Sequence, residues 1–63
     1  MAVPASEADL RRFAAQWSPA RSQEVVAKRQ KWRDLRVFGV GDMVYFLYFD
    51  DQGVLRDYVL LSN

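Results

Sequence analysis

The chain contains no cysteine and no histidine. The first absence excludes a disulfide staple and a thiolate zinc site. The second removes the commonest transition-metal ligand and the commonest general base. Glycine occurs three times and proline twice, and the sequence has no glycine-rich phosphate loop, no low-complexity linker and no internal repeat. The longest unbroken apolar run, Met43 to Phe49, is seven residues, far short of the ~20 that cross a bilayer as a helix. Met1-Ala2-Val3-Pro4 has neither the charged start nor the apolar run of a secretion signal. The expected location is therefore the cytoplasm, with no membrane partner and no cofactor.

What is present is a short, apolar chain. Its 63 residues are 51% hydrophobic and 14% aromatic, too rich in core formers for disorder and long enough for one domain. A domain of this size buries only ~60% of its unfolded surface, so without a staple it depends on a good core or on association. The net charge of +1 hides an asymmetry. Residues 1–18 balance Glu7 and Asp9 against Arg11 and Arg12. Residues 19–36 set Arg21, Lys28, Arg29, Lys31, Arg33 and Arg36 against Glu24 and Asp34, a local +4. Residues 37–63 set Arg56 against Asp42, Asp50, Asp51 and Asp57, a local −3.

The hydrophobic pattern predicts an α+β domain. Two N-terminal helices pack on a three-stranded antiparallel meander (ααβββ) with strand 43–49 in the centre. Residues 1–5 form a tail. Ser6 is placed to cap a helix over 7–17, with Asp9 three residues on, and Leu10, Phe13, Ala14 and Trp17 make one apolar stripe. Ser18-Pro19 starts a second helix over 19–33. Residues 34–38 alternate as a charged edge strand. Asp50-Asp51-Gln52-Gly53 fits a type I turn closed by a glycine of positive φ, joining strand 43–49 to strand 54–61.

That turn predicts a register in which Phe49 faces Leu55, Tyr48 faces Arg56, Phe46 faces Tyr58, Tyr45 faces Val59, Val44 faces Leu60 and Met43 faces Leu61. It creates two apolar faces, whereas a half-solvated sheet alternates apolar and polar residues. Two short helices cover one face. The more aliphatic set, Met43, Tyr45, Leu47, Phe49, Leu55, Val59 and Leu61, with Asp57 its only charge, is expected beneath them. Val44, Phe46, Tyr48, Arg56, Tyr58 and Leu60 then form an aromatic patch available to a partner, in residue types common at binding hot spots.

The leading expectation is accordingly a non-catalytic module that binds a larger protein or protein complex by stoichiometric occupation. A homodimer and an ordinary covered core are the alternatives for the patch. Nucleic-acid binding through Arg21, Lys28, Arg29, Lys31, Trp32, Arg33 and Arg36 is the rival reading. It is weighed down by a near-neutral chain and by basic positions spread over more than half the helix circumference. Catalysis is not expected. Asp50 and Asp51 sit at the tip of a turn, where Asp serves the backbone, with no pocket, nucleophile or base beside them.

Three resemblances accompany this reading. Tyr45 to Leu61, with its Phe-Asp-x-x-Gly-Val turn, resembles the closing hairpin of small outer-membrane assembly lipoproteins with an αα-βββ fold, although their signal sequence and lipid-bearing cysteine are absent. Trp32-Arg33-Asp34-Leu35-Arg36 with the hairpin resembles ribosome-dependent ribonuclease toxins, whose preceding strand and basic catalytic residues have no counterpart in this sequence. These two imply different functions and neither is adopted. In size, lack of cysteine and single aromatic surface, the chain is similar in style to phage-encoded inhibitors, of which anti-CRISPR proteins are the best-known group. That likeness implies inhibition by occupation.

Overall fold

A computed structural model describes residues 6–62; the expected tail over residues 1–5 lies outside them, as does Asn63. Helix α1 is Glu7–Trp17. Ser6 caps it from an extended backbone, its side-chain oxygen accepting the Asp9 N–H at 3.2 Å, and Glu7 and Asp9 complement the positive helix start. Leu10 and Ala14 are buried, with Phe13 and Trp17 packed against the same core. The Ser18 N–H closes the helix on Ala14 O.

Pro19–Arg21 is a 3-10 turn, and α2 follows as Ser22–Lys31. The second helix thus begins with a tight turn and stops two residues before position 33. Trp32 is already extended, with φ −110° and ψ 146°. Arg29 donates to Trp32 O and Arg33 O at 2.9 Å each, which satisfies carbonyls that a longer helix would have bonded internally.

The strands are β1 (Asp34–Val40), β2 (Met43–Phe49) and β3 (Leu55–Ser62), in spatial order β1-β2-β3. The domain is the expected two helices on a three-stranded antiparallel meander. β1 runs two residues beyond position 38, because Gly41 (φ +58°) opens a two-residue loop directly after Val40. Glycine at the first loop position is the type II′ requirement.

The second hairpin turn forms as its sequence predicts. The Gly53 N–H donates to Asp50 O at 3.1 Å, the Asp50 N–H donates to Val54 O at 3.0 Å, and Gly53 has φ +78°. Phe49 faces Leu55. One step further the expected register fails: a bulge between Tyr48 and Phe49 makes Arg56 the extra residue. Tyr48 then faces Asp57, Phe46 faces Val59, Tyr45 faces Leu60, Val44 faces Leu61 and Met43 faces Ser62.

The physical reason lies in what the unbulged register would bury. It would place Arg56 opposite Tyr48 on the same face as Val44 and Phe46. The bulge turns Arg56 outward, where its Nε reaches Asp50 Oδ2 at 3.1 Å. It also aligns Val59 and Leu61 with Val44, Phe46 and Tyr48 in one apolar set.

That set is the covered face. Val44, Phe46, Tyr48 and Val59 are wholly buried, with Leu61, Leu35 and Val37 beside them, under Leu10, Ala14, Val25 and Val26 of the helices. Each fully buried aliphatic or aromatic side chain contributes about 1.5–3 kcal/mol of transfer free energy. The Phe13 ring meets Phe46 edge-on at 6.0 Å. Tyr48 is the one phenol in this layer, and its hydroxyl donates to Val25 O of α2 at 2.8 Å. Burial pushes the Tyr48 phenol well above its ordinary pKa, so it stays an un-ionised donor.

Candidate protein-interaction surface

The side of the sheet away from the helices is open. Its cross-strand rows, read from β1 to β3, are Asp34–Phe49–Leu55, Arg36–Leu47–Tyr58, Phe38–Tyr45–Leu60 and Val40–Met43–Ser62. Polar residues occupy two neighbouring positions on the β1 edge, the bulged Arg56 on the β3 edge, and one far corner. Everything between them is aliphatic or aromatic. Tyr58 is 60% exposed, Val40 59%, Leu55 51% and Phe38 50%, exposures that a core residue never shows. Met43, Tyr45, Leu47, Phe49 and Leu60 are half-buried by one another.

With strands ~4.8 Å apart and a rise of ~3.4 Å per residue, the face projects an area on the order of 300 Å². That is already the size of the largest apolar patch on an ordinary monomer. The Arg36 guanidinium lies 5.7 Å from the Phe49 ring centroid, within cation–π range. Asp34, Arg36, Phe38, Leu47, Phe49 and Gly53 line a shallow groove on this face.

The structure divides the six residues that the sequence assigned to the binding patch. Arg56, Tyr58 and Leu60 are on the open side. Val44, Phe46 and Tyr48 are in the core at 0% exposure, a correction that follows from the bulge. Their places on the open face are taken by Tyr45, Leu47 and Phe49 of β2 and by Phe38 of β1. Uninterrupted apolar sequence in β2 gives no periodic signal for which side is covered. Phe38 carries no such signal in the sequence, because it follows Asp34 and Arg36 in an alternation that reads as a charged edge.

The basic residues of the nucleic-acid reading are not gathered into one surface. Arg21 Nη1 donates to Leu60 O at 2.9 Å and its Nη2 contacts Glu24 Oε1 at 2.9 Å. Lys28 Nζ bonds Asp57 Oδ1 at 3.0 Å and Tyr58 O at 3.2 Å. Arg29 holds the carbonyls at the start of β1. Lys31 Nζ sits 5.0 Å from the centroid of the Trp32 ring, and Trp32 packs against the core. Arg33 is exposed before β1, and Arg36 is on the opposite side of the sheet.

The acidic groups serve structure in the same way. Asp50 Oδ1 accepts the backbone N–H groups of Gln52 at 2.8 Å and Val54 at 3.0 Å. The Val54 bond leads in holding its carboxyl below the usual range, with Gln52 and Arg56 adding to it. Lys28, with the Tyr58 N–H, does the same for Asp57, and Arg21 for Glu24. The displaced acids go down and the displaced phenol goes up, each away from neutrality. Among the described residues no group of three or more His, Cys, Asp or Glu is placed to hold a metal ion. No helix among them is long and apolar enough to cross a membrane. Comparison with protein-family models, with curated proteins and with solved structures finds no match to this chain.

Proposed function

We propose that the protein is a non-catalytic binding module that occupies a site on a larger protein or protein complex through the open face of its sheet. The observation that carries this reading is the combination of Phe38, Leu55 and Tyr58 at half exposure or more with an uninterrupted apolar centre strand. Leaving such a face in water forgoes stabilisation that a chain this small can ill spare. Protein interfaces bury about 800 Å² per partner, so the face supplies the centre. Arg36, Arg56 and the Asp51 end of the hairpin supply a polar rim. Tyr58 and Phe38 are the anchors, being large, aromatic and presented on a rigid sheet.

Inhibition by occupation is the simplest activity open to such a module, since it needs no reactive group. Asp50, Asp57 and Glu24 are each engaged in bonds that hold a turn or tie helix to strand, so we assign them no reactive role. The scattering of the basic side chains weighs against nucleic acid.

The test is capture of binding partners from a lysate by the parent chain, by Phe38→Ser/Tyr58→Ser and by Arg12→Ala on the helix side, with bound proteins quantified. The expected result is a protein retained by the parent and by Arg12→Ala and lost by the face variant. A face variant that remains folded and keeps every partner would overturn the reading.

A further inference from the structure

The outer edge of β3 is closed by side chains rather than by a strand. Pairing of Val44, Phe46 and Tyr48 with Leu61, Val59 and Asp57 turns the peptide groups of Tyr58 and Leu60 away from β2, because successive residues of an antiparallel strand bond to opposite sides. Those are the groups a neighbouring strand would engage. Lys28 Nζ donates to Tyr58 O at 3.2 Å, and Arg21 Nη1 donates to Leu60 O at 2.9 Å. The Tyr58 N–H donates to Asp57 Oδ1 at 2.8 Å, and that carboxylate is bonded to Lys28 at 3.0 Å. Donors stand where a strand would place N–H groups, and an acceptor stands where it would place a carbonyl. Arg21 and Lys28 are two helical turns apart. Glu24 lies between them, 2.9 Å from Arg21 and 4.0 Å from Lys28, which holds the row together.

We propose that β3 carries a latent strand-pairing surface for a second copy of this chain, and that Arg21, Lys28 and Asp57 keep it shut. The edge is complementary to itself. Antiparallel pairing with Leu60 opposite Leu60 sets Tyr58 against Ser62 and Val59 against Leu61, so no like charges meet along the paired residues. It would also join two open apolar faces into one, the hazard that exposed edges carry. The closing side chains, with Glu24 between the two bases, set charged groups along that path.

The experiment compares the parent chain with Arg21→Ala/Lys28→Ala by light scattering from micromolar to millimolar concentration, with far-ultraviolet circular dichroism to confirm the fold. The expected result is self-association of the double variant tighter than the parent's by about tenfold or more. Adding Leu60→Pro to the double variant should restore the parent's mass, since proline is tolerated where an edge N–H faces outward but blocks a new ladder. If the double variant loses its fold, Lys28→Met, which keeps the apolar stem, is read in the same way. A folded variant with the parent's mass at every concentration overturns the proposal. So does association that Leu60→Pro leaves intact.

Discussion

Phe46→Ala and Tyr58→Ala separate the observed register from the one that the hairpin turn alone predicts. Without the bulge, Phe46 and Tyr58 face each other on one side of the sheet, and truncating either should have a similar effect. In the structure Phe46 is at 0% exposure and Tyr58 at 60%. Phe46 also meets Phe13 edge-on at 6.0 Å, so its loss opens a cavity at the junction of helix and sheet. A buried Phe→Ala change costs about 3–5 kcal/mol. A domain of this length has a total stability of roughly 3–9 kcal/mol at 0.05–0.15 kcal/mol per residue. Phe46→Ala should therefore remove about a third of the stability at the least, and all of it at the lower end of that range. Tyr58→Ala loses an exposed side chain and its cross-strand contact with Leu47, about 1 kcal/mol or less. Urea unfolding followed by far-ultraviolet circular dichroism reads both. Equal losses in the two variants, or a Phe46→Ala chain with a near-parental midpoint, would refute the burial argument.

Three further outcomes follow from single contacts. Tyr48→Phe removes the bond to Val25 O and should lower stability by about 1 kcal/mol; a midpoint equal to the parent's would mean that the hydroxyl bond adds nothing to folding. Gly53→Ala should cost about 1 kcal/mol through backbone strain alone, since φ is +78° and no atom lies within 4 Å of the added Cβ; thermal unfolding checks it, and a stabilised variant would contradict the turn geometry. Asp57, Asp50 and Glu24 have folded-state pKa values below their ordinary ones, so the stability they contribute is present above the unfolded value of about 4 and is lost as pH falls through the folded values. Melting temperature should hold from neutral pH to about 5 and fall below about 4, less steeply in Asp57→Asn; a flat profile into strong acid would contradict those pairings.

Helix α1 and the turn of the second hairpin could be read from sequence because their signals are local. Ser6 and Asp9 lie within one turn, the stripe from Leu10 to Trp17 repeats at helical spacing, and Gly53 marks positive φ. The faces of the hairpin could not be read in that way. β2 is apolar at every position, so its alternation is invisible. The cue that orients β3 is Asp57, whose partner Lys28 is 29 residues away in the chain. Asp57 lies on the covered side of β3 with or without the bulge, so its pairing with Lys28 orients β3 but leaves the bulge itself unsignalled. The roles of the basic cluster are hidden for a related reason: charge counts do not show that Arg21, Lys28 and Arg29 each end on a backbone carbonyl. The conclusion that two helices leave one apolar face of the sheet uncovered holds, with the β2 residues on that face exchanged for their neighbours.

The open face of the sheet is the proposed binding surface. Its most direct test is titration of the purified partner with the parent chain, with Phe38→Ser/Tyr58→Ser and with Arg12→Ala, read by calorimetry. Loss of two aromatic anchors at about 2 kcal/mol or more each predicts an affinity weakened by a factor on the order of 1000, with Arg12→Ala unchanged. A face variant that is folded and binds the partner as tightly as the parent would contradict the central claim.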